Sequence, residues 1–209
     1  TTSYKILEGE QRTESWFKVR DSCLITGSNA KQVKGTGNAY LYELLAIRMS
    51  EREHKEAYGK HVERGVELEP TAREEYEKQT GNKVKQVAFV KSENGNYGFS
   101  PDGLVMNKTK VKKVIEIKCP DTNNHIRYIL EKKIPSEHLD QIIHAFIVCD
   151  DVDEIDFISY DPKYKLKPLH IINVKRQSLI VDIQTTRIQY EKFVQKFDEK
   201  HQELINESL

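Results

Sequence analysis

The sequence has few cysteines, and their number and spacing argue against a disulfide-stabilised protein and against cysteine-ligated metal sites. Cys23, Cys119 and Cys149 form no CxxC pair, and an odd number of cysteines argues against a disulfide framework. With no cysteine quartet, neither a structural zinc site nor an iron–sulfur cluster is expected. The histidines form no HExxH motif either. A reducing intracellular location is therefore expected, in the cytoplasm or, in a eukaryotic cell, the nucleus.

Long hydrophobic runs and Pro/Gly/Ser-rich linkers are also missing. No stretch reaches the roughly 20 apolar residues that a membrane-spanning helix needs, and no signal-like segment opens the chain. The lack of a linker predicts a single domain over residues 1–209. The 33 basic and 33 acidic side chains cancel, so a nucleic-acid site requires that charge be segregated onto one face.

Three basic clusters interrupt this balanced background: KTKVKK at 108–113, EKK at 131–133 and KYKLK at 163–167. A cluster of this kind, standing alone, is more often a solvated loop or strand end than a binding site. The clusters become a binding surface only if the fold gathers them onto one face.

Hydrophobic spacing predicts three helices in the first part of the chain. The first is short and capped by Ser15, the second spans residues 38–50, and the third begins near Tyr58. Pro70 is expected to bend or restart the third helix, and Gly81 is expected to end it.

After Gly81 the hydrophobic period changes to that of β-strands. Strands are predicted at 83–90, around the corner at 98–105, and at 111–118, 154–160 and 168–175. Helices are predicted at 136–149 and at the C-terminal end, where the inward residues are Ile188, Phe193, Val194 and Phe197. The whole pattern predicts an α/β or α+β domain with a mixed central sheet flanked by helices.

Two short motifs point to chemistry. SPDG (100–103) sets Asp102 directly after a proline, and IEIK (115–118) sets Glu116 and Lys118 on one face of a strand. If this strand pairs with the one at the SPDG corner, Asp102 approaches Glu116. Two carboxylates and the main-chain carbonyl of Ile117 would then form a pocket of hard oxygens suited to Mg²⁺ or Mn²⁺.

Lys118 adds a side-chain amine, a group suited to phosphodiester hydrolysis, to these oxygens. Its amine could hold or deprotonate an attacking water, or neutralise charge on a phosphate. Taken singly, SPDG is more often an ordinary turn and an E-x-K pair more often faces solvent. The order of the two motifs, about a dozen residues apart, is much less common than either alone.

This ordered combination resembles the PD-(D/E)XK nuclease superfamily. Further blocks extend the resemblance to its viral-recombinase (YqaJ-like) exonucleases, the family that includes bacteriophage lambda exonuclease. These blocks are SWFKVRDSCLITGS, RGVELEPTAREEYEKQTG, HLDQIIHAF and FISYDPKYKLKPLH. With the two motifs they cover most of the chain from Trp16 to His170. The resemblance implies a restriction-endonuclease-like PD-(D/E)XK core.

The resemblance also implies roles for individual residues. Asp102 and Glu116 would bind the metal, and Lys118 would be the catalytic lysine. Glu69 corresponds to a helix glutamate close to the metals, and Gln141 to an active-site glutamine.

A second implied group binds the DNA end. Arg20 and Ser28 resemble a pair that anchors the 5′ phosphate, and Ser100 would assist them. Without the resemblance, Arg20 would instead be interpreted as a cap on the helix that it ends, and Trp16 as a core residue.

These features predict a Mg²⁺-dependent 5′→3′ exodeoxyribonuclease, with Mn²⁺ able to substitute, that resects linear double-stranded DNA ends for phage-type homologous recombination. The resemblance implies a ring-shaped homotrimer and a single-strand annealing protein as partner, and no membrane partner is expected. Two alternatives remain: an endonuclease or repair nuclease of the same superfamily, and a catalytically silent DNA-binding module.

Overall fold

The computed structural model describes residues 3–35, 38–50 and 60–207. The elements before the SPDG corner are β1 (Tyr4–Leu7), α1 (Glu14–Asp21), β2 (Ile25–Thr26), α2 (Ala30–Val33), α3 (Ala39–Met49), α4 (Lys60–Thr80), β3 (Val84–Lys85), β4 (Phe89–Ser92) and β5 (Tyr97–Phe99). Those after it are β6 (Gly103–Asn107), β7 (Lys110–Lys118), α5 (Thr122–Glu131), α6 (Ser136–Val148), β8 (Glu154–Tyr160), β9 (Leu169–Lys175), a 3-10 turn (Arg176–Leu179) and α7 (Ile180–Glu207).

A five-stranded sheet forms the centre of the fold, in the order β3-β6-β7-β8-β9. β7 and β8 run parallel, because α5 and α6 carry the chain back between them, while the other neighbouring pairs are antiparallel. The predicted strands at 111–118 and 154–160 are β7 and β8 almost residue for residue. The mixed sheet flanked by helices confirms the predicted fold class.

A second sheet, with the order β1-β4-β5-β2, was not predicted from the sequence. The segment 83–90, expected to be one strand, is divided between the two sheets: β3 pairs with β6, and β4 pairs with β1 and β5. The division occurs where the N–H of Ala88 bonds to the carbonyl of Leu7, which draws the chain toward β1. The prediction of a single strand is wrong at this point.

The five predicted helices are present, whereas α2 and α5 were not predicted from the sequence. Among the predicted helices, α4 differs in one detail. This helix continues through Pro70 and does not restart there. Pro70 lacks the N–H that would bond to the carbonyl of Val66, but both residues are exposed, so water can satisfy that carbonyl. Gly81, with a φ of 72°, ends the helix as predicted. The expected start near Tyr58 lies outside the described residues.

Two further details differ from the sequence-based expectations. Thr13, not Ser15, caps α1, because its Oγ1 accepts the N–H of Trp16 at 3.3 Å. On α7, Phe197 is buried as predicted, whereas Ile188 is 53% exposed. Ile188 precedes Phe197 by nine residues, which at 3.6 residues per turn places it on roughly the opposite face of the helix.

The two faces of the central sheet are covered by different helices. On one face the isoleucines of β7, Ile115 and Ile117, pack in a cluster with Ala72 and Tyr76 of α4. On the other face α5 and α6 cover β8, where Tyr128 and His138 contact the ring of Phe157. The carboxyl end of β7 therefore lies between two helical layers. Among the described helices, none is long and apolar enough to cross a membrane.

Candidate active site

The SPDG corner joins the two sheets and holds Asp102 against β7. Residues 100–102 connect β5 of the smaller sheet to β6 of the larger one. Gly103 pairs with Ile115, and the carboxylate Oδ2 of Asp102 accepts the main-chain N–H of Ile117 at 2.6 Å. The strand pairing expected from the sequence is therefore present.

Glu116 and Lys118 share one face of β7, as the alternation of the strand requires. The Nζ of Lys118 lies 2.5 Å from Oε1 of Glu116, and both side chains are largely buried. Ile115 and Ile117 point to the opposite face, where they are 0% and 6% exposed. The structure thus brings Asp102, Glu116 and Lys118 together at the end of one strand.

The charges of this group perturb one another. Burial, together with the negative charges of Glu116 and Glu69, raises the pKa of Asp102 well above its usual range, although Lys118 and the Ile117 N–H oppose the rise. Burial alone would lower the pKa of Lys118, but the carboxylates of Glu116 and Asp102 outweigh it and raise that pKa to about 12. The site therefore combines one ammonium group with an excess of acidic oxygens.

Arg73 of α4 links Glu69 to the SPDG corner. Its guanidinium donates to the main-chain carbonyl of Asp102 through Nε at 3.1 Å and Nη2 at 3.0 Å, and Nη2 also pairs with the carboxylate of Glu69. Burial raises the pKa of Glu69, and the charge of Arg73 opposes that rise. Sequence reasoning missed Arg73, although its place four residues after Glu69 on the helix was a usable signal.

A second arginine of α4, Arg64, ties the end of β7 to the loop between β8 and β9. It donates to the carbonyls of Cys119 and Pro120, each at 3.1 Å, and to the buried carboxylate of Asp161 at 3.0 Å. Asp161 also accepts the hydroxyl of Thr122 at 2.6 Å. Arg64 and Asp161 are 97 residues apart, and no sequence signal pointed to their pairing.

The thiol of Cys119, next to Lys118, packs beside the site and stays protonated. Burial, with the negative charges of Glu69 and Asp102, raises its pKa to about 12. A thiol with such a pKa is a poor nucleophile at neutral pH.

α6 presents Gln141 and His138 to the same region. Gln141 is half-buried and follows His138, a residue that sequence reasoning missed, by three positions on the helix. Burial and the positive charge of Lys118 lower the pKa of His138 to about 4, so its imidazole is neutral near pH 7. α6 therefore places a neutral imidazole near Lys118, one helical turn before Gln141.

The residues expected at the DNA end are gathered around Trp16. The indole Nε1 of Trp16 donates to Oγ of Ser100 at 2.7 Å, and the guanidinium of Arg20 lies over the indole ring at 5.2 Å. Nη2 of Arg20 is 3.4 Å from Oγ of Ser28. Trp16 is 9% exposed, so it is a core residue that supports this group. The structure thus brings Arg20, Ser28 and Ser100 together, next to the SPDG corner.

The donor set at the end of β7 fits a hard divalent cation. Asp102 and Glu116 offer carboxylate oxygens, which Mg²⁺ and Mn²⁺ prefer. Within the described ranges, no three His, Cys, Asp or Glu side chains form a group that could hold a metal by themselves. A cation held by two carboxylates here would therefore need a main-chain oxygen and water to complete its coordination, and Mg²⁺ commonly keeps several waters.

Solved structures of the alkaline exonuclease LHK-Exo from Laribacter hongkongensis are similar to this chain. One has a TM-score of 0.78 and 28% identity and covers 94% of this chain and 98% of that one. LHK-Exo in complex with dAMP has a TM-score of 0.78 and 29% identity over the same shares. A phage-related exonuclease from Haemophilus somnus 129PT has a TM-score of 0.54 and 18% identity over 98% of each chain, and it supports the fold alone.

Family membership rests on a separate comparison. A search of curated proteins gave no match. The model of the YqaJ-like viral recombinase domain matches residues 15–151, which is more than half of the chain and includes the SPDG and IEIK motifs. With a PD-(D/E)XK-like fold and a match of this extent, the chain belongs to the YqaJ-like viral recombinase family.

Proposed function

We propose that this protein is a phage-type exodeoxyribonuclease that resects the ends of linear double-stranded DNA in the 5′→3′ direction and depends on Mg²⁺, with Mn²⁺ able to substitute. The observation that carries the proposal is the convergence of Asp102, Glu116 and Lys118 at the end of β7. Membership of the YqaJ-like family and the similarity to alkaline exonucleases support the same activity.

The side chains of the site have separable roles in this reaction. Asp102, Glu116 and the carbonyl of Ile117 would hold the cation, which when bound supplies Lewis-acid stabilisation of the phosphate. Glu69, which Arg73 holds beside them, adds negative charge that favours a cation there. Lys118 would donate hydrogen bonds that orient the attacking water and offset charge on the phosphate. Gln141 would support this arrangement from α6.

The group around Trp16 supports recognition of a 5′ phosphate. A terminal phosphate carries more negative charge than an internal phosphodiester, and the planar guanidinium of Arg20 can give it two charge-assisted hydrogen bonds. Ser28 and Ser100 add neutral hydroxyl donors at the same place. Binding the 5′ phosphate next to the cleavage site would give the enzyme its polarity.

The activity is tested by incubating linear and covalently closed plasmid with Mg²⁺, with Mn²⁺ and with EDTA. An exonuclease degrades only the linear plasmid and only with metal. Nicking of the closed circle would instead indicate an endonuclease or repair nuclease, and intact DNA in every tube would indicate a silent binding module. Degradation that persists in excess chelator would overturn the metal requirement.

The end preference is tested with linear duplexes that carry either 5′-phosphoryl or 5′-hydroxyl ends. We expect faster resection of the phosphorylated duplex, and we expect Arg20→Ala to remove most of the difference. Loss of one charged hydrogen bond typically costs ~1.5–3 kcal/mol, which corresponds to a preference of roughly tenfold to a hundredfold. Equal rates on both duplexes with the unmutated protein would make Arg20 a structural residue.

Family membership also motivates two proposals about assembly. The protein would act as a homotrimer that encloses DNA, and a single-strand annealing protein would bind the single strand that remains after resection, in the cytoplasm or nucleus of the host cell. Light scattering in solution tests the first proposal, since it separates a trimer from the 24.4 kDa chain. Co-purification with an annealing protein tests the second.

A further inference from the structure

Two of the three basic clusters of the sequence form one surface in the fold. The loop after β8 contributes Lys163, Lys165 and Lys167, and the end of α5 is followed by Lys132 and Lys133. We call these five residues the lysine patch. The third cluster, KTKVKK, lies toward the opposite end of β7, where Lys113 and Lys110 are roughly 17 Å and 26 Å from Lys118 along a strand that rises about 3.3 Å per residue.

Contacts between α5 and the loop bring the two clusters together. The loop begins with the hydrogen bond from Thr122 to Asp161, and His125 then donates from Nε2 to the carbonyl of Lys167 at 2.8 Å. The ring of Tyr164 packs edge-on against the same imidazole, 5.8 Å from centre to centre. The charges of Lys167 and Lys132 both lower the pKa of His170, after the larger effect of its burial. The loop therefore lies along α5 toward Lys132.

The ammonium groups of the lysine patch are not neutralised. All five side chains are exposed. Within the part of the chain that the structure describes, none of them pairs with a carboxylate, whereas Lys113, Lys118 and Lys175 on neighbouring strands all do. Of the acids next to the patch in sequence, Asp161 is buried and paired with Arg64, whereas Glu131 is exposed beside Lys132. The patch therefore presents uncompensated positive charge to solvent.

The lysine patch lies at the same end of the sheet as the candidate active site. Lys118 pairs in register with Ser159 of the parallel strand β8, and the loop begins two residues later at Asp161. Arg64 fastens that point to the carbonyls of Cys119 and Pro120, directly after Lys118. A polyanion that enters the site can therefore reach the patch without crossing the sheet.

We propose that the lysine patch binds the phosphate backbone of DNA beside the active site. The inference rests on the proposed nuclease function, because that function brings a long polyanion to this end of the sheet. The phosphates could belong to the duplex still to be resected or to the remaining single strand, and the patch recognises chemistry common to both. Contacts of this kind position the substrate without reading its sequence.

The test measures DNA binding as a function of salt in EDTA, with a labelled 30-base-pair duplex and a labelled 30-nucleotide single strand. The patch variant is Lys163→Gln, Lys165→Gln and Lys167→Gln together. The control removes the same charge from the far end of β7: Lys108→Asn, Lys110→Gln and Lys112→Gln. Asparagine is used at Lys108 because its φ is 55°. Thermal melting checks that both variants fold like the parent.

Each phosphate contact contributes about 0.9 to the slope of log K against log salt for duplex DNA and about 0.7 for a single strand. We therefore expect the slope of the patch variant to be less steep than that of the parent by about 2–3. The slope of the control variant should differ from that of the parent by less than about 1. A loss on the duplex alone or on the single strand alone supports the proposal and identifies the source of the phosphates. An unchanged slope on both DNAs, or an equal loss in the control, overturns it.

This outcome is independent of the proposed nuclease function. Binding in EDTA requires no hydrolysis, so the slope judges the patch alone, while the plasmid assay judges the activity. If the parent digests linear plasmid but the patch variant keeps the parent's salt slope, the patch proposal is wrong and the proposed nuclease function is unaffected.

Discussion

Lys118 is the residue on which turnover should depend most sharply. Lys118→Ala removes the ammonium group that lies within the acidic pocket, and general acid–base or orienting groups of this kind typically contribute ~10²–10⁴-fold to rate. We expect a loss of that size in single-turnover hydrolysis of a linear duplex, with DNA affinity nearly unchanged because most affinity comes from phosphate contacts elsewhere.

The matched control for this variant is Lys175→Ala. Lys175 on β9 pairs with Glu154 of the neighbouring strand β8 at 2.8 Å, but its side chain is exposed. The variant Lys175→Ala should therefore hydrolyse DNA at the same rate as the parent. If Lys118→Ala and Lys175→Ala had the same activity, the E-x-K strand would be an ordinary surface strand.

Asp102 should destabilise the metal-free protein, and its replacement should show this. Its pKa is raised in the folded state, so the ionised carboxylate costs stability, and that cost grows as the pH rises from the usual Asp range through the folded pKa. Asp102→Asn removes the charge, and the amide oxygen can still accept the N–H of Ile117. We expect the variant to melt above the parent in EDTA at pH 8, with the difference shrinking toward pH 3.

Added Mg²⁺ should reverse this order. The cation should raise the melting temperature of the parent, because ligands that bind only the folded state stabilise it, and should leave Asp102→Asn nearly unchanged. A variant that melts below the parent in EDTA at pH 8 would show that the carboxylates do not repel one another as described.

At the scale of elements, the glycine of SPDG is required by packing between strands and not by the turn. A Cβ on Gly103 would lie 2.1 Å from Cγ1 of Val84 on β3, and the branched valine has little freedom to move away. Gly103→Ala should therefore cost ~1–3 kcal/mol, the usual range for overpacking. It should also lower activity, since the residue adjoins Asp102.

A double-mutant cycle measures this contact. Val84→Ala opens the space, so the pair Gly103→Ala and Val84→Ala should be less destabilising than the sum of the single changes by about 1 kcal/mol or more in urea unfolding. Gly65→Ala is the control with the opposite sign: nothing lies within 4 Å of its Cβ, and alanine favours the helix. Strict additivity at Gly103 and Val84 would argue against the clash.

The elements that the sequence predicted well are those whose own periodicity specifies them. β7, β8, α3 and α6 each have an uninterrupted apolar pattern, and each lies within a residue or two of its predicted bounds. The segment 83–90 has such a pattern too, but its division depends on β1, a strand of four residues with no strong pattern of its own. Partners distant in sequence decided the register there.

The same distinction holds within the candidate site. Asp102, Glu116 and Lys118 could be identified because their spacing matches a known motif, and their meeting follows from one antiparallel pairing. Arg73 was within reach of helix periodicity. The link between Arg64 and Asp161 was not, since it joins residues 97 positions apart through main-chain carbonyls that any residue type could provide.

At the scale of the whole molecule, His144 forms hydrogen bonds to two other elements of the fold. Its Nε2 donates to the carbonyl of Gly98 on β5 at 2.9 Å, and its Nδ1 accepts the hydroxyl of Tyr190 on α7 at 3.0 Å. The residue itself belongs to α6, which packs against the core shared by both sheets. A neutral imidazole thus adds hydrogen bonds between α6, α7 and the smaller sheet to the apolar packing of their shared core.

Acid should break this connection. Burial lowers the pKa of His144 to about 4 from its ordinary value of 6.5, and the Gly98 carbonyl only partly opposes this. Because the folded pKa is depressed, the stabilisation is complete above pH 6.5 and is lost as the pH falls from 6.5 toward 4. At about 1.4 kcal/mol per pKa unit, ~2–3 kcal/mol of unfolding free energy should disappear between pH 7 and pH 4.5.

Urea unfolding of the parent, His144→Gln and His201→Gln at pH 7 and pH 4.5 tests this expectation. Glutamine can keep a donor and an acceptor but cannot titrate, so His144→Gln should be less stable than the parent at pH 7 yet lose ~2–3 kcal/mol less on acidification. The control His201→Gln, near the end of α7, should lose as much unfolding free energy on acidification as the parent. If the free energy of unfolding fell as much in His144→Gln as in the parent between pH 7 and pH 4.5, acid would destabilise the protein through other groups. The protonation of His144 would then not be the cause.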